Sequence, residues 1–199
     1  DALTALEPGA AGTMLYPTGL AAPVMALLAV LKAGDDVLVS DNSYDPSRTF
    51  AEKGLRDYGI TARYFDPYDL DGFAAAITDK TRAVLLENPG SVSMEMCDVP
   101  ALAAAAKARG LVVLLDNTWA GPTGFQALKH GVDLSIVALT KHVGGHSDLM
   151  LGAVTANASN TVALAPFLGG TVALAGAVRW APRGQVLGTI GLAAASMAS

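Results

Sequence analysis

The chain has 199 residues, of which 52% are hydrophobic and 16% charged, and this composition supports one sizeable buried core rather than a disordered chain. The formal net charge of -5 leaves no basic surface for nucleic acid, so small molecules are the expected partners. The one cysteine, Cys97, excludes an internal disulfide and a cysteine-rich metal site and suits a reducing compartment, so we expect a cytoplasmic location.

From Gly19 to about Thr155, short apolar runs alternate with helical stretches, and Gly, Pro or Asp separates them. This alternation predicts an α/β domain with a largely parallel sheet. The predicted helices are Leu20–Leu31, Pro46–Tyr58, Val99–Ala108 and Pro122–Lys129. The predicted strands are Asp36–Ser40, Thr61–Phe65, Ala83–Glu87, Leu111–Leu115, Leu134–Ala138 and Met150–Thr155. The first helix is too short to cross a bilayer and contains Pro23, so a membrane is not an expected partner.

Two polar residues follow predicted strands at positions where open α/β sheets bind ligands. Asp116 directly follows the apolar run Leu111–Leu115, and Lys141 comes three residues after the next strand. Both are expected at the carboxyl edge of the sheet. A lysine beside a buried strand can lose its charge and act as an amine nucleophile. Considered alone, Asp116 is better explained as a loop-anchoring carboxylate, and Lys141 as a solvated surface lysine.

Five segments, in order and with matching gaps, carry a family resemblance. They are Tyr16–Ala22, Leu86–Ser91, Leu115–Ala120, His130–Ile136 and Thr140–Asp148. Together they closely resemble the Cys/Met-metabolism enzymes that depend on pyridoxal-5′-phosphate (PLP), most of all the cystathionine β-lyases. The resemblance runs from about residue 2 to residue 157. It implies PLP as cofactor, no metal, and the aspartate aminotransferase-like α/β fold of fold type I enzymes.

The resemblance implies three catalytic residues. Lys141 would hold PLP covalently and then act as a base, and Asp116 would keep the ring nitrogen protonated. Tyr44 matches the tyrosine that stacks on the cofactor ring in the family, a contact worth about 0.5–1.5 kcal/mol beyond area burial.

The resemblance also implies how the phosphate is held. Gly19 and Leu20 match a turn that opens a helix, where free N–H groups and the positive end of the helix dipole favour a phosphate. Thr140 would add its hydroxyl group. Ala138 stands where the family has a serine, so one phosphate hydrogen bond is expected to be missing. His142 also departs from the family, in which a tyrosine usually follows the lysine.

The implied reaction is β-elimination of cystathionine, or of a related cysteine conjugate, to a thiol, pyruvate and ammonia, as in methionine biosynthesis. Trp119 and the segment Tyr44–Arg48 favour a β-lyase over the γ-synthases and γ-lyases, although Trp119 is equally explained by core packing. Those relatives, an aminotransferase and an inactive remnant of the fold stay open as alternatives.

The tail beyond Thr155 is rich in Ala, Gly, Ser and Thr, and Arg179 and Arg183 are its only charged residues. We expect a PLP-binding catalytic domain at 1–157 and remnants of a C-terminal α+β domain at 158–199. The family's N-terminal arm and much of its C-terminal domain are expected to be missing, so the 199 residues would be part of a longer chain. No arginine for the substrate carboxylate is assigned. A homo-oligomer, a tetramer built as a dimer of dimers, is the expected assembly.

Overall fold

The computed structural model describes residues 2–160, and a seven-stranded sheet forms its centre. The strands are β1 (Ala10–Tyr16), β2 (Asp36–Ser40), β3 (Thr61–Phe65), β4 (Thr81–Glu87), β5 (Val112–Asp116), β6 (Leu134–Val137) and β7 (Gly152–Asn157). Across the sheet their order is β1-β7-β6-β5-β4-β2-β3. Neighbours from β3 to β6 pair in parallel, whereas β7 runs antiparallel to both β6 and β1. The expected α/β fold with a mostly parallel sheet is confirmed.

Helices cover both faces of this sheet. They are α1 (Ala2–Leu6), α2 (Ala21–Val30), α3 (Asp45–Thr49), α4 (Leu55–Asp57), α5 (Leu70–Ala76), α6 (Val99–Ala108) and α7 (Gly121–Gly124). A π-helical turn, Phe50–Gly54, joins α3 to α4, and a 3-10 helix spans Ala127–His130. Within residues 2–160, no helix is both long enough and apolar enough to cross a membrane.

The central strands each contain an uninterrupted apolar run, because both of their faces are buried. Successive residues of a strand point to opposite faces. In β2, Val37 and Val39 join the cluster under α2, and Leu38 joins the cluster under α5 and α6. Parallel strands covered by helices on both sides show this uninterrupted hydrophobic pattern. The two cores hold the sheet rigid, and so fix the positions of the residues that follow its strands.

Most predicted elements are confirmed, three of them with the predicted bounds. The predicted helix Pro122–Lys129 is wrong, because the chain divides there into α7 and the 3-10 helix. Phe125 is extended between the two, and its carbonyl accepts a hydrogen bond at 2.8 Å from the Asn117 side chain. The sequence analysis also missed α1, β1 and α5. The expectations for Arg179, Arg183 and the rest of 161–199 lie outside the described residues.

Candidate active site

A cavity of about 650 Å³ lies at the carboxyl edge of the sheet. Its size falls within the range of small-molecule sites. The sequence predicted six residues for a site, and all six line this cavity. They are Gly19, Leu20, Tyr44, Asp116, Thr140 and Lys141. The strand order therefore brings together residues as far apart in the sequence as Gly19 and Lys141.

The turn before α2 offers unused hydrogen-bond donors to the cavity. The Thr18 hydroxyl accepts a hydrogen bond from the Ala21 N–H at 3.0 Å and so fixes the start of the helix. In the described part of the chain, the N–H groups of Gly19 and Leu20 have no acceptor. Gly19 also lies close to Ala138, since a Cβ added to it would come within 2.7 Å of the Ala138 Cβ. The turn suits an anion.

Thr140 lines the cavity, but its hydroxyl group is already engaged. It donates to the Leu151 carbonyl at 3.1 Å and accepts from the Leu151 N–H at 3.0 Å. A hydroxyl has one proton to donate. A hydrogen bond from Thr140 to a phosphate would therefore require the bond to the Leu151 carbonyl to break.

Asp116 ends β5 in the middle of the sheet, and its neighbour Thr118 orients it. The Thr118 hydroxyl and backbone N–H both donate to Asp116 Oδ1. The same hydroxyl accepts from the Ala138 N–H at 2.9 Å, which ties the carboxylate to the end of β6. Among the described residues nothing donates to Oδ2. Burial raises the pKa of Asp116, while the hydrogen bonds from Thr118 oppose this rise.

Glu87 is a second carboxyl group of the site, and the sequence analysis gave it no role. It ends β4, next to Asp116 in the strand register, and lines the cavity. Its Oε2 accepts a hydrogen bond from the Tyr44 backbone N–H at 2.6 Å. Burial, and then the charge of Asp116, raise its pKa to about 8. The pattern that marked Asp116, an acid after an apolar strand, also marks Glu87 and could have identified it.

Lys141 enters the cavity from the turn after β6. Its backbone N–H donates to the Ala138 carbonyl at 3.0 Å, which fixes the turn. Within residues 2–160 its side chain forms no ion pair. Beside it, the rings of His142 and Trp119 lie 5.3 Å apart and form part of the cavity wall. Trp119 is 51% exposed, so the interpretation of this residue as core packing is wrong.

Comparison with known proteins identifies the family of this chain. Residues 1–182 match the family described as Cys/Met metabolism PLP-dependent enzyme. The chain belongs to this family. The predicted resemblance is thus confirmed, and the match continues beyond residue 157, where the sequence analysis had ended it.

Cystathionine beta-lyase MetC of Escherichia coli is 42% identical over 160 residues, which are 79% of this chain and 40% of that protein. A Bacillus subtilis relative named cystathionine gamma-synthase/O-acetylhomoserine (thiol)-lyase is 36% identical over 154 residues, which are 77% of this chain and 41% of that protein. The chain spans about two fifths of the length of these relatives.

A solved structure shares both the fold and the cofactor chemistry. It is a Campylobacter jejuni protein assigned as an O-acetylhomoserine (thiol)-lyase, and it carries a pyridoxyl-lysine phosphate group. It superposes with a TM-score of 0.76 at 31% identity, over 81% of this chain and 40% of that one. The expected fold type I architecture and the expected cofactor, PLP, are therefore confirmed.

The cavity residues fit this cofactor. PLP presents an aldehyde, a phosphate dianion and a pyridine nitrogen. The cavity offers an amine at Lys141, unused N–H donors at Gly19 and Leu20, and a carboxylate oxygen of Asp116 without a donor in the described chain. Among residues 2–160, no group of three or more His, Cys, Asp or Glu residues could hold a metal ion.

Proposed function

We propose that this chain carries the PLP-binding catalytic part of a carbon–sulfur lyase of the cystathionine β-lyase type. The observation that supports this most is the meeting of Asp116, Lys141 and the Gly19–Leu20 turn around one cavity. A carboxylate, an amine and free backbone donors are the groups that complement the ring nitrogen, the aldehyde and the phosphate of PLP. An amino acid that carries sulfur on its β-carbon is the proposed substrate.

In this proposal, Asp116 and Lys141 have separate tasks. PLP, when bound, supplies an electron sink for the negative charge that develops at the substrate Cα. Asp116 would hold the positive charge of the ring nitrogen, and Thr118 would keep its carboxylate in place. Lys141 would hold PLP in the resting enzyme and later, as a free amine, take the Cα proton at Nζ and help the thiolate leave. The thiol, and after hydrolysis pyruvate and ammonia, would be the products.

The remaining proposed roles concern the phosphate and the ring of the cofactor. The N–H groups of Gly19 and Leu20 would bind the phosphate, helped by the dipole of the ten-residue helix α2. Tyr44 would stack on the ring. Thr140 would contribute to the phosphate site only if its hydroxyl turned away from Leu151.

The β-lyase activity is proposed over γ-elimination and γ-replacement on two features. Trp119 lines the cavity at a position where the γ-enzymes have Phe or Tyr, and the segment Tyr44–Arg48 resembles the corresponding segment of the β-lyases. An E. coli relative named as a β-lyase is also more similar than a B. subtilis relative named as a γ-synthase. The γ-activities remain the second candidate because both kinds of relative share this part of the fold.

Product analysis tests the activity. The chain reconstituted with PLP should release pyruvate from cystathionine without an added keto acid, which an aminotransferase would require. Release of 2-oxobutyrate instead would indicate γ-elimination and refute the β-lyase assignment. Lys141→Ala should abolish turnover, whereas the matched variant Lys129→Ala, at another exposed lysine, should keep it.

Mapping the covalent link tests the site. Borohydride reduction should fix a pyridoxyl group on the peptide that contains Lys141. A pyridoxyl group on Lys107 or Lys129 would contradict the assignment.

We further propose that the active form is a homo-oligomer, a tetramer built as a dimer of dimers, and that it is located in the cytoplasm. In each chain, residues 1–157 would form the catalytic domain and residues 158–199 part of a second domain. Sedimentation of an active monomer would contradict the assembly.

A further inference from the structure

A hydrogen bond from the Tyr44 backbone joins the segment before α3 to the carboxyl end of β4. Tyr44 directly precedes α3, and its side chain is 47% exposed at the cavity. Among the described residues, its phenol makes no hydrogen bond, so the ring has no polar anchor of its own there. Its backbone N–H donates to Glu87 Oε2 at 2.6 Å. The backbone, through this bond, therefore determines where the ring lies.

Glu87 is well placed to act as a fixed acceptor. It is 8% exposed and ends β4, a strand whose neighbours are β2 and β5. Its own N–H donates to the Ser40 hydroxyl at 3.2 Å, and that hydroxyl contacts the Ser43 hydroxyl at 2.9 Å. Glu87 is thus hydrogen-bonded to Tyr44 through its side chain and to the last residue of β2, Ser40, through its backbone. The Glu87 backbone is therefore fixed at the sheet edge, and its buried side chain presents an acceptor oxygen to the Tyr44 N–H.

We infer that Glu87 is a positioning residue, which acts through the Tyr44 N–H to keep the Tyr44 ring in place against the cofactor ring. The inference rests on the proposed function insofar as Tyr44 stacks on PLP. Glu87 itself needs no contact with cofactor or substrate in this role. Burial and the charge of Asp116 raise the pKa of Glu87, and the hydrogen bond from the Tyr44 N–H opposes this rise.

Two conservative variants separate geometry from charge. Glu87→Gln keeps the side-chain length and an acceptor oxygen but removes the ionisable group. Glu87→Asp keeps the ionisable group but is one methylene shorter, so its oxygen no longer reaches the Tyr44 N–H. Glu95→Gln, at an exposed glutamate nearby, is the matched control.

The first measurement is amide hydrogen exchange at Tyr44 in the cofactor-free chain. The Tyr44 amide should stay protected in Glu87→Gln and exchange about 5-fold faster or more in Glu87→Asp, the change expected for one hydrogen bond. An Asp variant with the parent's protection would overturn the inference. So would a Gln variant that exchanges as fast as Asp.

The second measurement is PLP affinity together with the circular dichroism of the bound cofactor. Glu87→Asp should bind PLP about 2- to 12-fold more weakly, as should Tyr44→Ala, because both lose the stacking contact. The double variant should bind no more weakly than Tyr44→Ala, since Glu87 acts through that ring. Additive losses would overturn the inference.

Failure of the proposed function would look different. A parent chain that takes no PLP on Lys141 would refute the proposed site, whatever the Glu87 variants do. The exchange measurement needs no cofactor, so it would still decide whether Glu87 holds Tyr44.

Discussion

Gly19 approaches Ala138 so closely that one added methyl group should destabilise the protein. A Cβ at residue 19 would lie 2.7 Å from the Ala138 Cβ and 3.4 Å from its Cα. Carbon atoms prefer separations of about 3.5–4.0 Å, so the shorter contact is too close by roughly 1 Å. An extra methyl group in packed surroundings costs about 1–3 kcal/mol.

A second effect of Gly19→Ala has the opposite sign. Gly19 does not have a positive φ, so alanine is compatible with its backbone. At such a position, replacing glycine by alanine stabilises by about 0.4–1 kcal/mol through the unfolded chain. The steric cost is larger, and we therefore expect the free energy of unfolding to fall by about 1–2 kcal/mol.

Ala138→Gly supplies the decisive background, because it removes the atom that the new methyl group meets. In this background, Gly19→Ala should be neutral or stabilise by up to about 1 kcal/mol. Urea denaturation of the parent, both single variants and the double variant gives the coupling free energy, expected at about 1–3 kcal/mol. An equal loss of stability in both backgrounds would refute the steric argument.

Three further predictions follow from carboxyl groups. Asp116→Asn should keep the fold and bind PLP but reduce the rate of pyruvate release by about 10²–10³-fold, since a neutral amide cannot hold a pyridinium charge; near-unchanged turnover would contradict its proposed role. Asp133 is fully buried and accepts hydrogen bonds from the Lys107 ammonium and the Val113 N–H. Asp133→Ala should therefore lower the free energy of unfolding, measured by urea denaturation, by about 3 kcal/mol or more. The control Asp79→Ala, at an exposed aspartate, should change it by no more than about 0.5 kcal/mol. Glu87 has a pKa of about 8 in the folded chain, well above its ordinary value, so the unfolded chain loses this proton at lower pH than the folded chain does. Stability should therefore fall as the pH rises from about 5 through 8 in the parent and fall less in Glu87→Gln, and parallel curves would show that Glu87 does not titrate in this way.

The sheet edge could be predicted because its signals are local. Uninterrupted apolar runs mark strands buried on both faces, and parallel strands place their carboxyl ends together. Asp116 and Lys141 could therefore be predicted at one edge of the sheet from the number of residues that separate each of them from the preceding strand. The family resemblance added Tyr44, Gly19 and the cofactor.

The missed elements depend on contacts between distant parts of the chain. Ala10–Tyr16 is a strand because it pairs with Gly152–Asn157, and the small residues at its start, Ala10 to Gly12, give little sign of this. The break at Phe125 depends on a hydrogen bond from the Asn117 side chain, whereas local propensity favours a continuous helix. Glu87 likewise acquires its role from Tyr44, which is 43 positions away.

Two of the residues that the comparison with the family singles out lie together on the cavity wall. Trp119, which favours a β-lyase, and His142, which departs from the family's tyrosine, contact each other at 5.3 Å between ring centres. Both are neighbours of residues proposed to hold the cofactor, since His142 directly follows Lys141 and Trp119 comes three residues after Asp116. Enzymes that share a fold differ in activity through the side chains of their sites, so residues beside a common cofactor site can set the choice of substrate. Exchanging Trp119 for Phe, with product analysis on cystathionine, therefore tests whether the aromatic pair contributes to the choice between β- and γ-elimination.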